Sequence, residues 1–121
     1  GIKISVKSKF VSVIEEIDTM YHLYNYFITI ENTTPETVQL VSRLWFILDS
    51  LQHQKIVKGS GVIGEMPVLA SKQTFAYQSN CILTSNIGAM KGYFNMRNLT
   101  TNTIFRVVIP TFQLTNTVAL N

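Results

Sequence analysis

Three glycines and one proline lie close together in the stretch Gly59-Ser60-Gly61-Val62-Ile63-Gly64-Glu65-Met66-Pro67-Val68-Leu69. This stretch matches G-x-G-x-x-G, a pattern that binds phosphate where it follows a strand and opens a helix. Here the proline favours an extended conformation at Met66, and the next segment, residues 74–79, has the composition of a strand. Residues 72–81 contain no Asp or Glu to complete the dinucleotide-binding pattern. The glycines therefore predict a tight loop between two strands.

Segments on both sides of this loop alternate between apolar and polar residues, as half-buried β-strands do. The predicted strands are residues 2–7, 24–31, 55–58, 74–79, 91–97 and 103–109. Residues 98–102 join the last two as a hairpin. About seven or more short strands, with turns every 8 to 12 residues, predict an all-β sandwich.

Two segments carry the patterns of both helix and strand. Residues 14–24 place apolar side chains at helical spacing beside an acidic cluster, and we expect a loop or a helical turn there, followed by a strand. In residues 36–51, Pro35 resembles the start of a helix and the apolar spacing is helical. The same residues also alternate as in a strand that is buried on both faces.

Several sequence blocks resemble a known family in the same order along residues 28–114. Gly61 to Leu69 is similar to the G-V-V-G-E-x-P-V-L signature of the ApaG family. Blocks similar to other family patterns are residues 28–32 (I-T-I-E-N), 38–45 (V-Q-L-x-S-R-x-W), 77–81 (Y-x-S-G-C), 88–93 (G-x-M-x-G-x-Y) and 109–114 (I-P-x-F-x-L). The resemblance favours a strand over a helix in residues 36–51. It implies an immunoglobulin-like or fibronectin type III-like β-sandwich, with residues 1–121 as a single domain.

The resemblance also implies an association with cobalt and magnesium efflux, but no known reaction. We therefore expect a non-enzymatic interaction module that acts through a protein partner. The predicted partner-binding residues are Val62, Ile63, Glu65 and Met66. The apolar residues Val62, Ile63, Met66 and Val68 are expected to be exposed on the glycine loop.

A small-ligand site at the same loop is the alternative hypothesis. Consecutive backbone N–H groups from Gly59 to Gly64 would form a nest for pyrophosphate or a nucleotide. The predicted ligand-binding residues are Lys58, Gly59, Ser60, Gly61 and Gly64. Magnesium needs only one or two carboxylates, so weak binding of a divalent cation belongs to the same alternative.

No residues combine into a recognisable catalytic or metal-binding pattern. His22, His53 and Cys81 each stand alone in the sequence, and a lone cysteine is usually a small buried hydrophobic residue. Many ApaG sequences have His within the S-R-x-W block, where this chain has Leu44. We therefore predict no enzymatic activity, no cofactor and no metal site.

The composition narrows the classes of partner. The net charge is +3 and the basic residues are dispersed, whereas nucleic-acid surfaces cluster them, so we expect no nucleic-acid binding. With one cysteine, no disulfide forms within the chain, as in a reducing compartment. No apolar run reaches the roughly 18 residues of a membrane span. These features predict a cytoplasmic protein without membrane insertion, which is a monomer or a weak homodimer.

Overall fold

The computed structural model describes residues 1–50 and 52–116, and the regular elements within these residues are all β-strands. The eight strands, in chain order, are β1 (Ile2–Glu16), β2 (Thr19–Asn32), β3 (Val38–Asp49), β4 (Lys55–Ser60), β5 (Val68–Leu69), β6 (Thr74–Leu83), β7 (Ile87–Asn98) and β8 (Thr103–Thr115). All the strand pairs are antiparallel. The predicted all-β fold is confirmed.

The strands form two sheets that pack face to face. The first sheet has the order β1-β2-β6, and the second has the order β4-β3-β7-β8 with the short β5 also paired to β3. This is the two-layer architecture of immunoglobulin-like and fibronectin type III-like sandwiches, as predicted. The first sheet is therefore one strand narrower than the main path of the second.

Aromatic side chains fill the space between the sheets. Alternate residues of β2, beginning with Tyr24 and Tyr26, are buried against the second sheet, which follows from the period-2 geometry of a strand. The Trp45 side chain of β3 is 2% exposed. Its ring packs edge-on against Tyr26, Phe94 and Phe112, at centroid distances of 5.5, 6.4 and 5.9 Å. These contacts join the two sheets at the centre of the core.

The expected loop or helical turn in residues 14–24 is wrong. β1 continues to Glu16, β2 starts at Thr19, and only Ile17 (φ 47°) and Asp18 (φ 62°) form the turn between them. Two left-handed residues between antiparallel strands make the tight hairpin turn that matches strand twist. Cross-strand pairs such as Ile14 with Tyr21 stabilise this β1–β2 hairpin. These pairs outweigh the helical spacing of the apolar residues.

Residues 36–51 contain a strand, as the family resemblance predicted. β3 pairs with β4 and β5 on one side and with β7 on the other. A bulge between Leu40 and Ser42 shifts the register of β3 against β7. The bulge changes which residues face the core: Val38 and Leu40 are buried before it and Trp45 after it, whereas Val41, Leu44 and Leu48, at the helical spacing, are only half-buried. Leu51, the last residue of this segment, lies outside the described residues.

The two sides of the sandwich differ. On one side β1 lies beside β8, and the Ser8 hydroxyl donates a 2.7 Å hydrogen bond to the Gln113 carbonyl. On the other side the end strands are β4 in the second sheet and β6 in the first. This second side is open and forms a cleft between the sheets.

Close packing of the backbone explains Gly92 in the buried middle of β7. A Cβ atom at this position would lie 2.0 Å from the Leu44 carbonyl oxygen of the neighbouring β3. We expect Gly92→Ala to lower the free energy of unfolding by about 1–3 kcal/mol, because the strands must move apart to admit a methyl group. Urea denaturation measures the change, with exposed Lys91→Ala as the matched control. Equal stabilities of the two variants would contradict this account of the packing.

Candidate functional site

The glycine stretch forms a second tight turn, between β4 and β5. The Val62 N–H donates to the Glu65 carbonyl (2.8 Å), and the Glu65 N–H donates to the Val62 carbonyl (2.9 Å). The two residues between them, Ile63 (φ 42°) and Gly64 (φ 78°), are left-handed, as in a type I′ turn. Gly61 is also left-handed, with φ 57°. The predicted tight loop between strands is confirmed.

Hydrogen bonds to β3 anchor both ends of this loop. The Gly61 N–H donates to the Val41 carbonyl (2.7 Å), and the Leu40 N–H donates to the Pro67 carbonyl (3.0 Å). The Gln39 side chain donates to the Met66 carbonyl at 3.1 Å. Because these bonds precede and follow the turn, the loop is fixed on the edge of the second sheet.

Arg43 of β3 adds a charged anchor. Its guanidinium donates to the carbonyls of Ser60 (3.1 Å) and Gly61 (2.8 Å). A Cβ atom at Gly59 would lie 2.6 Å from this guanidinium. Glycine at position 59 therefore leaves the space in which the arginine passes beneath β4.

The predicted ligand-binding residues lie in two places. Lys58, Gly59 and Ser60 belong to β4 and border an open groove of about 460 Å³ on the second sheet, whereas Gly61 and Gly64 lie in the loop. The N–H groups of Gly61 and Val62 already donate to backbone carbonyls. A nest for pyrophosphate would have to exchange these bonds for bonds to the ligand. Binding of a nucleotide, pyrophosphate or a divalent cation here stays a prediction.

The predicted partner-binding residues are divided by burial. Val62 is only 1% exposed and belongs to the core, so its expected exposure is wrong. The type I′ turn directs Val62 inward and Ile63 outward. Ile63 and Met66 are 58% and 47% exposed, and Glu65 is also exposed. Together with Val68, which is 50% exposed, Ile63 and Met66 form what we call the apolar knuckle.

The open side of the sandwich contains a cleft that the sequence did not reveal. Its volume is about 330 Å³. Its lining residues come from β2, β3, β4, β6 and β7: Tyr26, Arg43, Trp45, Ile47, Lys55, Val57, Ser79, Asn80, Cys81, Ile82 and Met90. Among these described residues the charged side chains are Arg43 and Lys55, and none is Asp or Glu. The cleft is therefore basic, with an apolar floor.

Burial governs the titratable groups near this cleft. Desolvation raises the pKa of Tyr26 and of Tyr77, and the Arg43 charge opposes both shifts. Burial likewise raises the pKa of the Cys81 thiol to about 11, against the opposing charge of Lys55. Each group therefore stays protonated at neutral pH. The Tyr77 hydroxyl is buried and has no hydrogen-bond partner among the described residues.

The histidines, Cys81 and Leu44 lie in separate places. His22 pairs with Val13 and Leu83 in the first sheet, whereas His53 is exposed in the β3–β4 loop. Leu44 borders the groove on the second sheet. In residues 1–50 and 52–116, no three His, Cys, Asp or Glu side chains are grouped to hold a metal ion. No α-helix in that part of the chain has the length and hydropathy needed to cross a membrane.

Cys81 should react slowly with thiol reagents in the folded protein. Raising a thiol pKa from 9.0 to about 11 lowers the thiolate fraction at pH 8 by about 100-fold, and burial reduces access further. We expect labelling by a disulfide reagent at pH 8 to be at least about 100-fold slower in buffer than in denaturing urea. Equal rates would contradict the buried, protonated thiol.

The glycines at positions 61 and 64 should differ in their tolerance of a side chain. A Cβ atom at Gly61 would lie 1.9 Å from the Glu65 carbonyl oxygen, whereas one at Gly64 would have no neighbour within 4 Å. We expect Gly61→Ala to cost about 2 kcal/mol or more. Gly64→Ala should cost about 1 kcal/mol, from its positive φ alone. Denaturation midpoints test this order, and the reverse order would refute the loop geometry.

The chain has relatives among known proteins. The ApaG domain model matches residues 15–98. A protein named ApaG from Brucella canis is 39% identical over 114 residues, which cover 94% of this chain and 87% of that protein. The ApaG protein of Brucella anthropi gives the same identity and coverage.

Two solved structures share the fold. An X-ray structure from the Northeast Structural Genomics Consortium has a TM-score of 0.91 and 28% identity, over 95% of this chain and 86% of that one. A crystal structure assigned to an ApaA protein of Bordetella pertussis has a TM-score of 0.87 and 31% identity, over 95% and 93%. With the matching domain model and these relatives, the chain belongs to the ApaG family.

Proposed function

We propose that this chain is a non-enzymatic interaction module that docks a protein partner through the apolar knuckle of Ile63, Met66 and Val68. The observation that carries the proposal is a strained, exposed Ile63 on a loop that also exposes Met66 and Val68. Ile63 is β-branched, left-handed at φ 42° and 58% exposed. A left-handed residue with a Cβ atom costs about 1–2 kcal/mol. Because the Ile63 side chain is largely exposed, its burial offsets little of this cost.

Strain of this kind is typical of positions that serve something other than folding. A type I′ turn favours Asn or Gly at both central positions, and either residue would relieve the strain at position 63. A large exposed apolar side chain gains free energy only when a partner covers it. Ile17 carries the same strain, so strain alone does not identify a docking surface. Ile63 differs because its loop is anchored to β3 and also exposes Met66 and Val68.

The loop is also suited to docking because its backbone is fixed in advance. Binding costs conformational entropy whenever a flexible loop must be ordered. Here hydrogen bonds from β3 and from Arg43 already hold the loop. Exposed Glu65 lies between Ile63 and Met66 in the sequence and supplies polar surface of the kind that surrounds an apolar contact.

Val62 takes a different role from the other members of the predicted set. It is part of the core and supports the turn from beneath, so it positions the loop and does not contact the partner.

We propose that the protein is cytoplasmic, because the free Cys81 thiol would persist in that reducing compartment. The association with cobalt and magnesium efflux would then be indirect, through the bound partner.

The test uses one substitution that should improve folding and weaken binding. Ile63→Asn relieves the left-handed strain, so we expect the free energy of unfolding to rise by about 1 kcal/mol. The same variant removes the apolar contact, so partner recovery after in-cell cross-linking should fall. Cobalt tolerance should fall with it in a bacterial strain where this chain replaces the resident ApaG protein.

Ile17→Asn is the matched control. Ile17 is also left-handed, at φ 47°, and is 93% exposed in the β1–β2 turn, near exposed Ile14 and Met20, but this turn is separate from the glycine loop. The substitution relieves the same strain and should leave both partner recovery and cobalt tolerance unchanged. If instead the Ile63→Asn variant recovered the partner and conferred cobalt tolerance as well as the unaltered chain, the knuckle would be excluded as the docking surface.

A further inference from the structure

The outer edge of β6 is exposed and carries none of the usual protection. In the described part of the chain β6 pairs only with β2. Its sequence from Thr74 to Leu83, TFAYQSNCIL, contains no charge and no proline, and its register with β2 is unbroken. Natural edge strands are normally blunted by lysine, proline or a bulge. The neighbouring edge strand β4, by contrast, carries Lys55 and Lys58.

The direction of the backbone groups on β6 follows from the end of the sheet. The Asn32 N–H donates to the Gln73 carbonyl, and hydrogen-bonded pairs recur at every second residue of an antiparallel ladder. Tyr77 and Ser79 therefore bond to β2, because they pair with Ile28 and Tyr26. The N–H and carbonyl of Gln78 point away from β2, towards the open side.

The open side has room for one more strand. Among the described residues the first sheet has three strands and the second has four along its main path, so no described strand of the first sheet lies opposite β4. The cleft occupies this position, and Lys55 and Val57 of β4 line it. A strand added beside β6 would lie over the cleft and direct every second side chain into it.

The lining of the cleft specifies which side chains fit. Arg43 and Lys55 are its charged residues, and the described lining has no carboxylate. Arg43 donates only to backbone carbonyls in the described structure. Ser79 and Asn80 of β6 add polar side chains to the lining. Apolar Trp45 and Val57 complete the contact surface.

We propose that β6 accepts an extended acidic segment of another protein as a fourth strand of the first sheet. One Asp or Glu of that segment points into the cleft towards Arg43 and Lys55. Residues two positions before and after it are apolar and pack on the cleft walls. Backbone bonds to β6 give affinity and the inward side chains give specificity, as in other cases of strand addition.

A second copy of this chain does not meet the same requirement through its own exposed edge. Antiparallel pairing of two β6 strands would place Thr74 to Leu83 of one copy over the cleft of the other, and this segment contains no Asp or Glu. Two cations would then face a neutral strand. The occupant is therefore a different, acidic segment.

The proposal rests on the proposed function only in taking a protein as the partner, and it uses none of the knuckle residues.

The experiment selects nine-residue peptides from a random library displayed on phage, with the whole chain as the target. Synthetic versions of the selected peptides are then measured by fluorescence anisotropy. We expect an acidic residue with apolar residues two positions on either side, and about tenfold weaker binding when the acid is replaced by its amide.

Two pairs of variants locate the contact. Gln78→Pro removes an N–H from the open edge without touching the β2 ladder and should weaken peptide binding about tenfold or more, whereas Gln78→Ala keeps the N–H and should not. Lys55→Gln should weaken binding about threefold. Lys58→Gln, on the same strand but bordering the outer groove, should have no effect. Circular dichroism confirms that each variant is folded.

Several results would overturn the proposal. These are recovery of no peptide, selection of neutral or basic peptides, or equal binding by Gln78→Pro and the unaltered chain. A dimer in sedimentation that Gln78→Pro dissociates would assign the edge to a second copy instead. Ile63→Asn should bind the peptides normally, so failure of the knuckle as a docking surface and failure of this edge are separate outcomes.

Discussion

The contact on which the candidate surfaces depend is the passage of Arg43 beneath β4. Its guanidinium binds the carbonyls of Ser60 and Gly61, and it fits only because position 59 has no side chain. On one side this contact fixes the glycine loop and its exposed apolar residues. On the other side it leaves a positive charge at the margin of the core. A single inward-pointing cation thus links two surfaces that are separate in the sequence.

The uneven width of the two sheets places these surfaces. β1 and β8 close one side of the sandwich, and on the other side the first sheet, as described over residues 1–50 and 52–116, ends one strand earlier than the second. Trp45, which packs against aromatic rings of both sheets, forms part of the cleft wall. The core and the cleft therefore share side chains, and a ligand in the cleft would contact the residues that hold the sheets together.

The sequence predicted the features that depend on neighbouring residues better than those that depend on contacts between distant strands. The alternation of apolar and polar residues in β2 was sufficient to predict the strand and its buried face. The helical spacing in residues 14–24 misled because β1 and β2 are held by pairing across the turn. The inward direction of Val62 depends on two left-handed residues after it. Arg43, Lys55 and Cys81 converge in the cleft only through the order of the strands, which no spacing along the chain encodes.

The two-residue turn at Ile17 and Asp18 also bears on how the chain folds. It lets β1 and β2 pair across a very short loop, so little chain entropy is lost before the first contacts form. The pairing of β2 with β6 joins residues roughly fifty positions apart, and such contacts form slowly. A β1–β2 hairpin would thus form first and serve as the template on which the rest of the sandwich assembles.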